Sequence, residues 1–253
     1  MFRQASRAPE PFSMIRSTVF FTFVAFAIVF LLPWLILWTA ITKNPDVMYR
    51  TAMKAIQLLL RLVGVRVHVE GRENIPPRVC IFAANHISTI DPLAFIPAIP
   101  RRIAILVKRE LFRIPFLGTA MKAAQFVPVD RSDREAAAAS LDLSIERLKQ
   151  GTSFAIYPEG TRSPDGRLRP LKKGAFIMAV GAGVPIVPVS IVGAQKIMQK
   201  GGWRVSSGDI TVRFGEPVDG AEYTVETRDA LRDRIEALIA AGLPEEQKPS
   251  ASV

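Results

Sequence analysis

The chain has 253 residues, 49% of them hydrophobic, and its 33 Lys and Arg against 23 Asp and Glu give a formal charge of +10. This length permits one globular domain with an accessory segment, and the charge favours polyanionic partners: nucleic acid, an anionic lipid surface or a phosphorylated substrate. A single cysteine excludes an internal disulfide, and one cysteine with two histidines excludes a Cys/His zinc cluster.

The first predicted element is a long apolar helix. Residues 18–40 carry no charged side chain over 23 positions, and a helix of that length can cross a hydrocarbon core of ~30 Å. A signal peptide has a shorter apolar region, so the pattern predicts an uncleaved membrane anchor after a basic segment at residues 1–17. Pro33 removes one helical hydrogen bond, which leaves open both a straight span and a bent segment that dips into one leaflet.

A second helix is predicted directly after the anchor. Residues 47–63 repeat apolar side chains at helical spacing, and such a helix can lie on an anionic membrane surface or pack against a protein core. The membrane-associated region therefore extends over residues 18–64. Basic side chains after the apolar segment outnumber those before it, which by the positive-inside rule places the main domain in the cytoplasm, at the inner membrane.

Beyond residue 64 the chain alternates short β-rich runs with helical runs. This alternation predicts an α/β fold in residues 65–243, with a central, largely parallel or mixed sheet of about seven strands flanked by helices. Ser132 and Glu135 form a capping box at the start of the clearest helix, and the polar tail, residues 244–253, is predicted to be disordered. The predicted strands are 65–70, 79–84, 103–107, 126–129, 154–157, 186–191 and 210–214, and the predicted helices are 132–150, 173–182 and 225–240.

The loop after the second predicted strand carries a histidine and an aspartate, His86 and Asp91. Because Pro92 follows Asp91, the aspartate is predicted to be a helix N-cap, and the intervening turn can return its carboxylate to the imidazole. In such a pair the carboxylate fixes the tautomer, and the other ring nitrogen can accept a proton from a hydroxyl. Taken alone, the same residues also fit a turn histidine beside a helix cap.

A second loop, residues 157–163, has a phosphate-binding composition without a P-loop. Gly160 permits close backbone approach, Thr161 offers a hydroxyl, and the planar fork of Arg162 matches phosphate oxygens. Cations at other strand ends can converge on the same anion. These cations are Lys108 and Arg131.

Three other reactive side chains are assigned structural roles. Cys80 lies in an apolar strand and is predicted to be buried, and His68 alternates with valines and is predicted to lie on a strand surface. Ser88 lies in the first loop, but the chain has no G-x-S-x-G elbow that would activate a serine. A covalent acyl-enzyme is therefore not expected.

In their order along the chain, these motifs resemble those of the glycerolipid acyltransferases. The first loop is similar to the family's H-x-x-x-x-D motif, and Glu159 to Arg162 spell its E-G-T-R motif. The resemblance covers about residues 65–215 and is strongest to the 1-acyl-sn-glycerol-3-phosphate (lysophosphatidate) acyltransferase family. The four matching segments are 85–91, 126–131, 159–162 and 184–189.

The resemblance implies a reaction and assigns roles. His86 would be the general base and Asp91 its orienting residue, in acyl transfer from acyl-CoA or acyl carrier protein to the sn-2 hydroxyl of 1-acyl-glycerol-3-phosphate, with no metal and no cofactor. The implied substrate-binding residues are Lys108, Arg131, Glu159, Gly160, Thr161 and Arg162. One departure is Ala124-Gln125, where many members of the family have glycine.

Two other functions remain open. The same acyl transfer could use another acceptor, such as a lyso-amino lipid, glycerol 3-phosphate or another lysophospholipid. A non-catalytic, membrane-tethered basic module would instead bind anionic lipid or nucleic acid. The sequence has no helix-turn-helix, aromatic RNA-binding or zinc-finger pattern, which disfavours nucleic acid. The implied partners are a membrane lipid surface, a lysophospholipid acceptor and the acyl donor.

Overall fold

A computed structural model describes residues 12–130, 133–199 and 201–249. The strands are β1 (Val65–Glu70), β2 (Ile81–Ala84), β3 (Ile103–Lys108), β4 (Val127–Val129), β5 (Ser153–Ile156), β6 (Ile186–Val192) and β7 (Gly208–Phe214). They form one seven-stranded sheet in the order β1-β7-β6-β2-β5-β3-β4. Only β6 and β7 pair antiparallel among these neighbours. The predicted mixed α/β sheet is confirmed.

Helices cover both faces of this sheet. The helices are α1 (Ser13–Phe26), α2 (Leu32–Thr42), α3 (Asp46–Leu62), α4 (Asp91–Phe95), α5 (Leu117–Ala123), α6 (Arg134–Lys149), α7 (Gly174–Ala182), α8 (Ala194–Ile197) and α9 (Arg228–Ala241). Helices α3 and α4 contribute buried side chains to a core on one face of the sheet, and α6, α7 and α9 contribute to a second core on the other face. Burial on both faces explains why several strands are continuously apolar.

The first two helices form one continuous apolar rod. Ser13–Thr42 is a 30-residue helix that is long and apolar enough to cross a membrane, and 6% of its most apolar window is buried within the protein. A π-helical turn, Ala27–Leu31, joins α1 to α2, and Pro33 lies in the first turn of α2. Because a proline nitrogen cannot donate a helical hydrogen bond, the wider π turn lets the helix continue through Pro33.

Helix α3 packs against the protein core. Its side chains Met48, Tyr49, Leu59 and Leu60 are buried, and the N–H of Ile103 donates to the phenol oxygen of Tyr49 at 3.4 Å. Of the two placements that its sequence allowed, the core-packed one is therefore the one observed.

The start of α6 corrects one sequence prediction. The N-cap is Asp133, whose carboxylate accepts hydrogen bonds from the N–H groups of Glu135 and Ala136 at 3.0 and 3.1 Å. The predicted cap, Ser132, lies outside the described residues. An aspartate at this position satisfies the exposed amides and also interacts favourably with the helix dipole.

The C-terminal segment corrects another. Residues 244–249, assigned to a disordered tail, contain a 3-10 turn at Glu245–Gln247. Gln247 is 2% exposed, and its carbonyl accepts a hydrogen bond from the N–H of Leu168 at 2.8 Å. A contact nearly 80 residues away in sequence therefore orders a segment whose composition alone predicted none.

The departure at residue 125 has a local explanation. Gln125 adopts a φ of +62°, a backbone conformation that favours glycine. Its side-chain oxygen accepts a hydrogen bond from the hydroxyl of Thr152 at 2.7 Å, and its carbonyl accepts one from Arg147. These two contacts hold a backbone path that glycine would adopt without strain.

Strand direction places the loops that carry the motifs together. β2, β3, β5 and β6 run parallel within the sheet, so their carboxyl ends share one edge, where residues of α/β folds commonly form binding sites. β7 runs antiparallel to β6, and β1 runs parallel to β7. The amino ends of β1 and β7 therefore lie at the same edge as the motif loops.

Candidate active site

The loop after β2 is fixed to the sheet at its first residue. Asn85 is 1% exposed, and its side chain makes two hydrogen bonds to the backbone of Ile191 in β6, donating to the carbonyl at 3.0 Å and accepting from the N–H at 2.7 Å. This amide pair continues the hydrogen bonding between β2 and β6 beyond the end of β2, and it sets where the next residue, His86, leaves the sheet.

His86 and Asp91 form the predicted pair. His86 Nδ1 lies 2.8 Å from Asp91 Oδ2, and the side chains are 18% and 0% exposed. Asp91 is the first residue of α4 rather than its N-cap, which corrects the sequence prediction. Its Oδ2 also accepts hydrogen bonds from the N–H groups of Ile87 and Ser88 at 2.7 and 2.8 Å, so the carboxylate orders the turn that precedes it.

The electrostatics of Asp91 follow from its burial. Desolvation raises the pKa of this carboxyl, while the hydrogen bonds from His86 and from two backbone amides lower it. Its second oxygen, Oδ1, is buried and has no hydrogen-bond partner among the described residues. Because Nδ1 faces the carboxylate, Nε2 is the ring nitrogen that remains for a substrate.

Tyr157 is a site residue that the sequence reasoning did not assign. Its ring stacks on the imidazole of His86, with ring centroids 4.1 Å apart and planes at 21°. It also forms a T-shaped pair with Phe95, with ring centroids 6.2 Å apart. Burial raises the pKa of the Tyr157 phenol well above its usual value. The stack restricts rotation of the imidazole, and the available signal was an aromatic residue at the end of a strand directly before the E-G-T-R motif.

Glu159 connects the two motif loops through backbone amides. Its Oε1 accepts a hydrogen bond from the N–H of His86 at 2.6 Å, and its Oε2 accepts one from the N–H of Arg169 at 3.1 Å. The residue is 2% exposed, and desolvation raises its pKa to about 7. The N–H of Ser163 donates to the His86 carbonyl at 2.8 Å, so both backbone polar groups of His86 are bonded to residues of the second loop.

The other residues of the E-G-T-R motif face the surface. Thr161 is exposed, and the guanidinium of Arg162 donates to the hydroxyl of Thr89 in the first loop. Gly160 has a φ of +74°, and a Cβ at this position would lie 3.0 Å from the end of the Lys172 side chain. Lys172 is therefore a second cation beside the motif, one that the sequence analysis did not assign to the site.

Of the remaining predicted cations, Lys108 lies farther along the same edge. Lys108 ends β3, is 70% exposed, and pairs with Glu110 at 3.2 Å. β5 lies between β3 and the strand that precedes His86. Arg131 lies outside the described residues. The contacts described here therefore place Arg162, rather than Lys108, directly on the loop of His86.

The two candidate nucleophiles are buried. Cys80 is 0% exposed, and desolvation raises the pKa of its thiol to about 11. Ser88 is also 0% exposed, and its hydroxyl donates to the carbonyl of Met198 at 2.5 Å. Within the described residues, no group of three His, Cys, Asp or Glu side chains is placed to hold a metal ion.

Comparison with known proteins shows the family of this chain. The family model for acyltransferases matches residues 66–192. The 1-acyl-sn-glycerol-3-phosphate acyltransferase of Pseudomonas aeruginosa is 32% identical over 76% of this chain and 74% of its own length, and the human 1-acyl-sn-glycerol-3-phosphate acyltransferase alpha is 34% identical over 72% and 67%. The crystal structure of the 1-acyl-sn-glycerophosphate acyltransferase PlsC from Thermotoga maritima matches with a TM-score of 0.79 at 31% identity, over 91% of this chain and 94% of that one. This chain belongs to the acyltransferase family.

Proposed function

We propose that this protein transfers an acyl group from acyl-CoA or acyl carrier protein to the sn-2 hydroxyl of 1-acyl-sn-glycerol-3-phosphate, which gives phosphatidic acid. The observation that carries the proposal is the buried His86–Asp91 pair, held at 2.8 Å and bonded through Glu159 to the E-G-T-R loop. The relatives described above support the choice of acceptor, because their names specify 1-acyl-sn-glycerol-3-phosphate as the molecule that is acylated.

His86 acts as the general base. Its Nε2 takes the proton of the acceptor hydroxyl while that oxygen attacks the thioester carbonyl; the new C–O ester bond forms and the C–S bond breaks. The imidazolium then returns the proton to the leaving thiolate. Asp91 stabilises the imidazolium and fixes its tautomer, a contribution that typically amounts, with the base, to ~10²–10⁴ in rate. Tyr157 keeps the ring in plane by stacking.

The acyl group passes directly to the acceptor. The two side chains that could form an acyl-enzyme, Ser88 and Cys80, are both fully buried. The Ser88 hydroxyl is bonded to a backbone carbonyl, and the raised pKa of Cys80 keeps its thiol protonated near neutral pH. Neither meets the requirement of an activated nucleophile.

The phosphate of the acceptor binds beside Gly160. Arg162 supplies a planar fork for two phosphate oxygens, Thr161 supplies a hydroxyl, and Lys172 supplies a second cation whose side chain lies against the glycine. Arg131 also binds the phosphate, as its place in the second matching segment, residues 126–131, implies. Lys108, which is exposed and paired with Glu110, contributes more weakly, through the long-range field. Glu159, whose two oxygens already accept backbone hydrogen bonds, positions His86 rather than contacting the phosphate.

The protein works at the inner membrane, with the acyltransferase domain facing the cytoplasm. The helix Ser13–Thr42 is apolar along its length and largely exposed on the protein surface, which supports membrane attachment. The basic residues that follow it support a cytoplasmic domain, where soluble acyl donors are available. Attachment keeps the site beside an acceptor that resides in the bilayer.

The test is an acceptor panel with the purified full-length protein in lipid nanodiscs. Lysophosphatidate, glycerol 3-phosphate and a lysophospholipid without a terminal phosphate are each supplied with acyl-CoA and, separately, with acyl carrier protein thioester. We expect rapid acylation of lysophosphatidate alone. Equal turnover of the acceptor without a terminal phosphate would refute the proposed phosphate site, and no turnover of any acceptor with either donor would refute the reaction.

A further inference from the structure

The segment between α8 and β7, described at residues 199 and 201–207, is attached to the first turns of the apolar helix. The N–H of Val205 donates to the hydroxyl of Ser17 in α1 at 2.8 Å, and Val205 is 0% exposed. The N–H of Ser206 donates to the carbonyl of Ile197 at 2.9 Å, which fixes the segment to α8 as well. We call residues 199 and 201–207 the β7 approach loop. Its base is fixed to the protein at two points.

The outer part of the β7 approach loop exposes an aromatic residue and a cation. Trp203 is 52% exposed, and the guanidinium carbon of Arg204 lies 5.7 Å from the centre of its ring. Tryptophan is favoured at the headgroup level of a bilayer, because its apolar ring and polar N–H suit the two sides of that interface. Arginine beside it adds attraction to anionic headgroups.

The neighbouring turns of α1 expose large apolar side chains. Phe12, Met14 and Ile15 are each 59–60% exposed, whereas Ser13 and Ser17, on the side that meets the loop, are 2% and 1% exposed. These turns begin a run of exposed apolar side chains that continues along the helix to Ile41, and such a surface is one that a lipid phase can cover. The β7 approach loop therefore lies next to the lipid-compatible surface of α1.

The same loop is connected to the catalytic pair. The carbonyl of Met198, immediately before the loop, accepts the hydrogen bond from the Ser88 hydroxyl at 2.5 Å. The N–H of Ser88 in turn donates to Asp91 at 2.8 Å. Two hydrogen bonds, both made by Ser88, thus connect the start of the β7 approach loop to the carboxylate that orients His86.

We infer that the β7 approach loop is a second membrane contact, in which Trp203 and Arg204 lie among the headgroups of an anionic bilayer and hold the motif edge of the sheet at that surface. The inference rests on the membrane attachment proposed above and extends it from the apolar helix to the acyltransferase domain. Its consequence is that the entrance to His86 faces the leaflet in which the acceptor lies.

The chain's three tryptophans permit a direct test. The variant Trp34→Phe/Trp38→Phe retains Trp203 as its single tryptophan, and the variant Trp203→Phe retains the two on the apolar helix. Both are placed in nanodiscs of anionic phosphatidylglycerol or zwitterionic phosphatidylcholine, with bromine near the top of the acyl chains as a quencher. We expect Trp203 emission to shift to shorter wavelength and to be quenched in the anionic discs, and less so in the zwitterionic ones.

Each outcome decides one statement. Quenching of the helix tryptophans without quenching of Trp203 would overturn the loop contact and leave membrane attachment intact. Equal quenching of Trp203 in both lipids would overturn the preference for anionic headgroups, and quenching of neither variant would overturn attachment and the inference together.

An activity measurement separates the loop from the chemistry. Arg204→Gln should raise the KM for long-chain lysophosphatidate in anionic vesicles about fivefold, the factor that corresponds to roughly one surface cation. Turnover of a short-chain, micelle-free lysophosphatidate should not change. An equal loss with both acceptors would contradict the inference, since it would place Arg204 at the substrate site rather than at the lipid surface.

Discussion

His86 and His68, the chain's two histidines, each place a ring nitrogen 2.8 Å from an aspartate oxygen, His86 on Asp91 and His68 on Asp209. Their surroundings differ. The side chains of His86 and Asp91 are 18% and 0% exposed, whereas those of His68 and Asp209 are 56% and 46% exposed. His86 is stacked on Tyr157, and its backbone N–H and carbonyl are both hydrogen-bonded. His68 lies within β1, an outermost strand of the sheet.

The two aspartates differ in the same way. Asp209 accepts two hydrogen bonds from Arg66 at 2.8 Å in addition to the contact with His68, and these neighbours hold its pKa well below the usual range. Asp91 is removed from water and serves one imidazole and two amides. The distance between histidine and aspartate therefore does not distinguish the two pairs; burial and a fixed ring plane do.

The largest expected effect tests that distinction directly. His86→Ala should reduce kcat by ~10²–10⁴, because it removes the group that accepts the hydroxyl proton. His68→Ala, which removes an equally close His–Asp contact, should leave kcat within about twofold, since exposed ion pairs contribute little. The measurement is initial-rate acylation of lysophosphatidate by both variants in nanodiscs. Similar losses in the two variants would show that the environment of His86 does not distinguish it.

The aspartates provide the second test. Asp91→Asn should reduce kcat by about 10²-fold, because the amide carries no charge to stabilise the imidazolium and does not enforce the productive tautomer. Asp209→Asn, its exposed counterpart, should retain wild-type kcat. Circular dichroism and the unfolding midpoint of each variant establish that the fold is intact. Wild-type turnover by a folded Asp91→Asn protein would remove Asp91 from the proposed mechanism.

A third test concerns Glu159. This residue joins the loop of His86 to the E-G-T-R loop beside the buried His86–Asp91 pair, and it takes no part in the exposed His68–Asp209 pair. Folding raises its pKa from 4.5 to about 7, so the folded protein binds this proton more tightly than the unfolded chain does. The resulting stabilisation is fully present below pH 4.5 and is lost as the pH rises through about 7. Relative to Glu159→Gln, the wild-type free energy of unfolding should therefore fall by ~3 kcal/mol between pH 4.5 and 8.

The measurement is denaturant unfolding in mild detergent across that pH range, with Glu222→Gln as the matched change at an exposed glutamate. A difference between wild type and Glu159→Gln that stays constant with pH would show that Glu159 has no raised pKa. It would also remove the basis for assigning this carboxylate a buried, positioning role.

These comparisons also show what the sequence can and cannot predict. The sequence pattern predicted all seven strands of the sheet, to within two residues at each end. Strands such as β2 and β6 are buried on both faces and read as apolar runs, whereas β1 alternates apolar and polar residues because one of its faces is more exposed. The pairing of His86 with Asp91 was predictable because a turn of four residues brings them together. In both cases the determining contacts are local or depend on a simple pattern of burial.

The features that were not predicted depend on contacts between distant segments. The stack of Tyr157 on His86 and the hydrogen bond from the His86 N–H to Glu159 each join residues about 70 positions apart. The order of residues 244–249 likewise depends on a partner in the 160s. Asp91 was assigned as an N-cap because Pro92 follows it, but its carboxylate turns back to the preceding loop, where two amides and an imidazole offer more hydrogen bonds than the helix end does.

The smallest expected effect concerns the guanidinium beside each pair. Arg66 already binds the carboxylate of the exposed pair with both of its forked nitrogens, whereas the guanidinium of Arg162 contacts the Thr89 hydroxyl on the loop of His86. Arg162→Lys should raise the KM for lysophosphatidate about tenfold, because a lysine cannot present the planar fork that matches two phosphate oxygens.

Arg66→Lys, the matched control, should leave the KM for lysophosphatidate unchanged. The KM for acyl-CoA should be unaffected in both variants, and kcat for Arg162→Lys should stay within about threefold, since the chemistry depends on His86. An unchanged KM for lysophosphatidate would restrict Arg162 to holding Thr89 and would assign the phosphate to Lys172, whose side chain lies against Gly160.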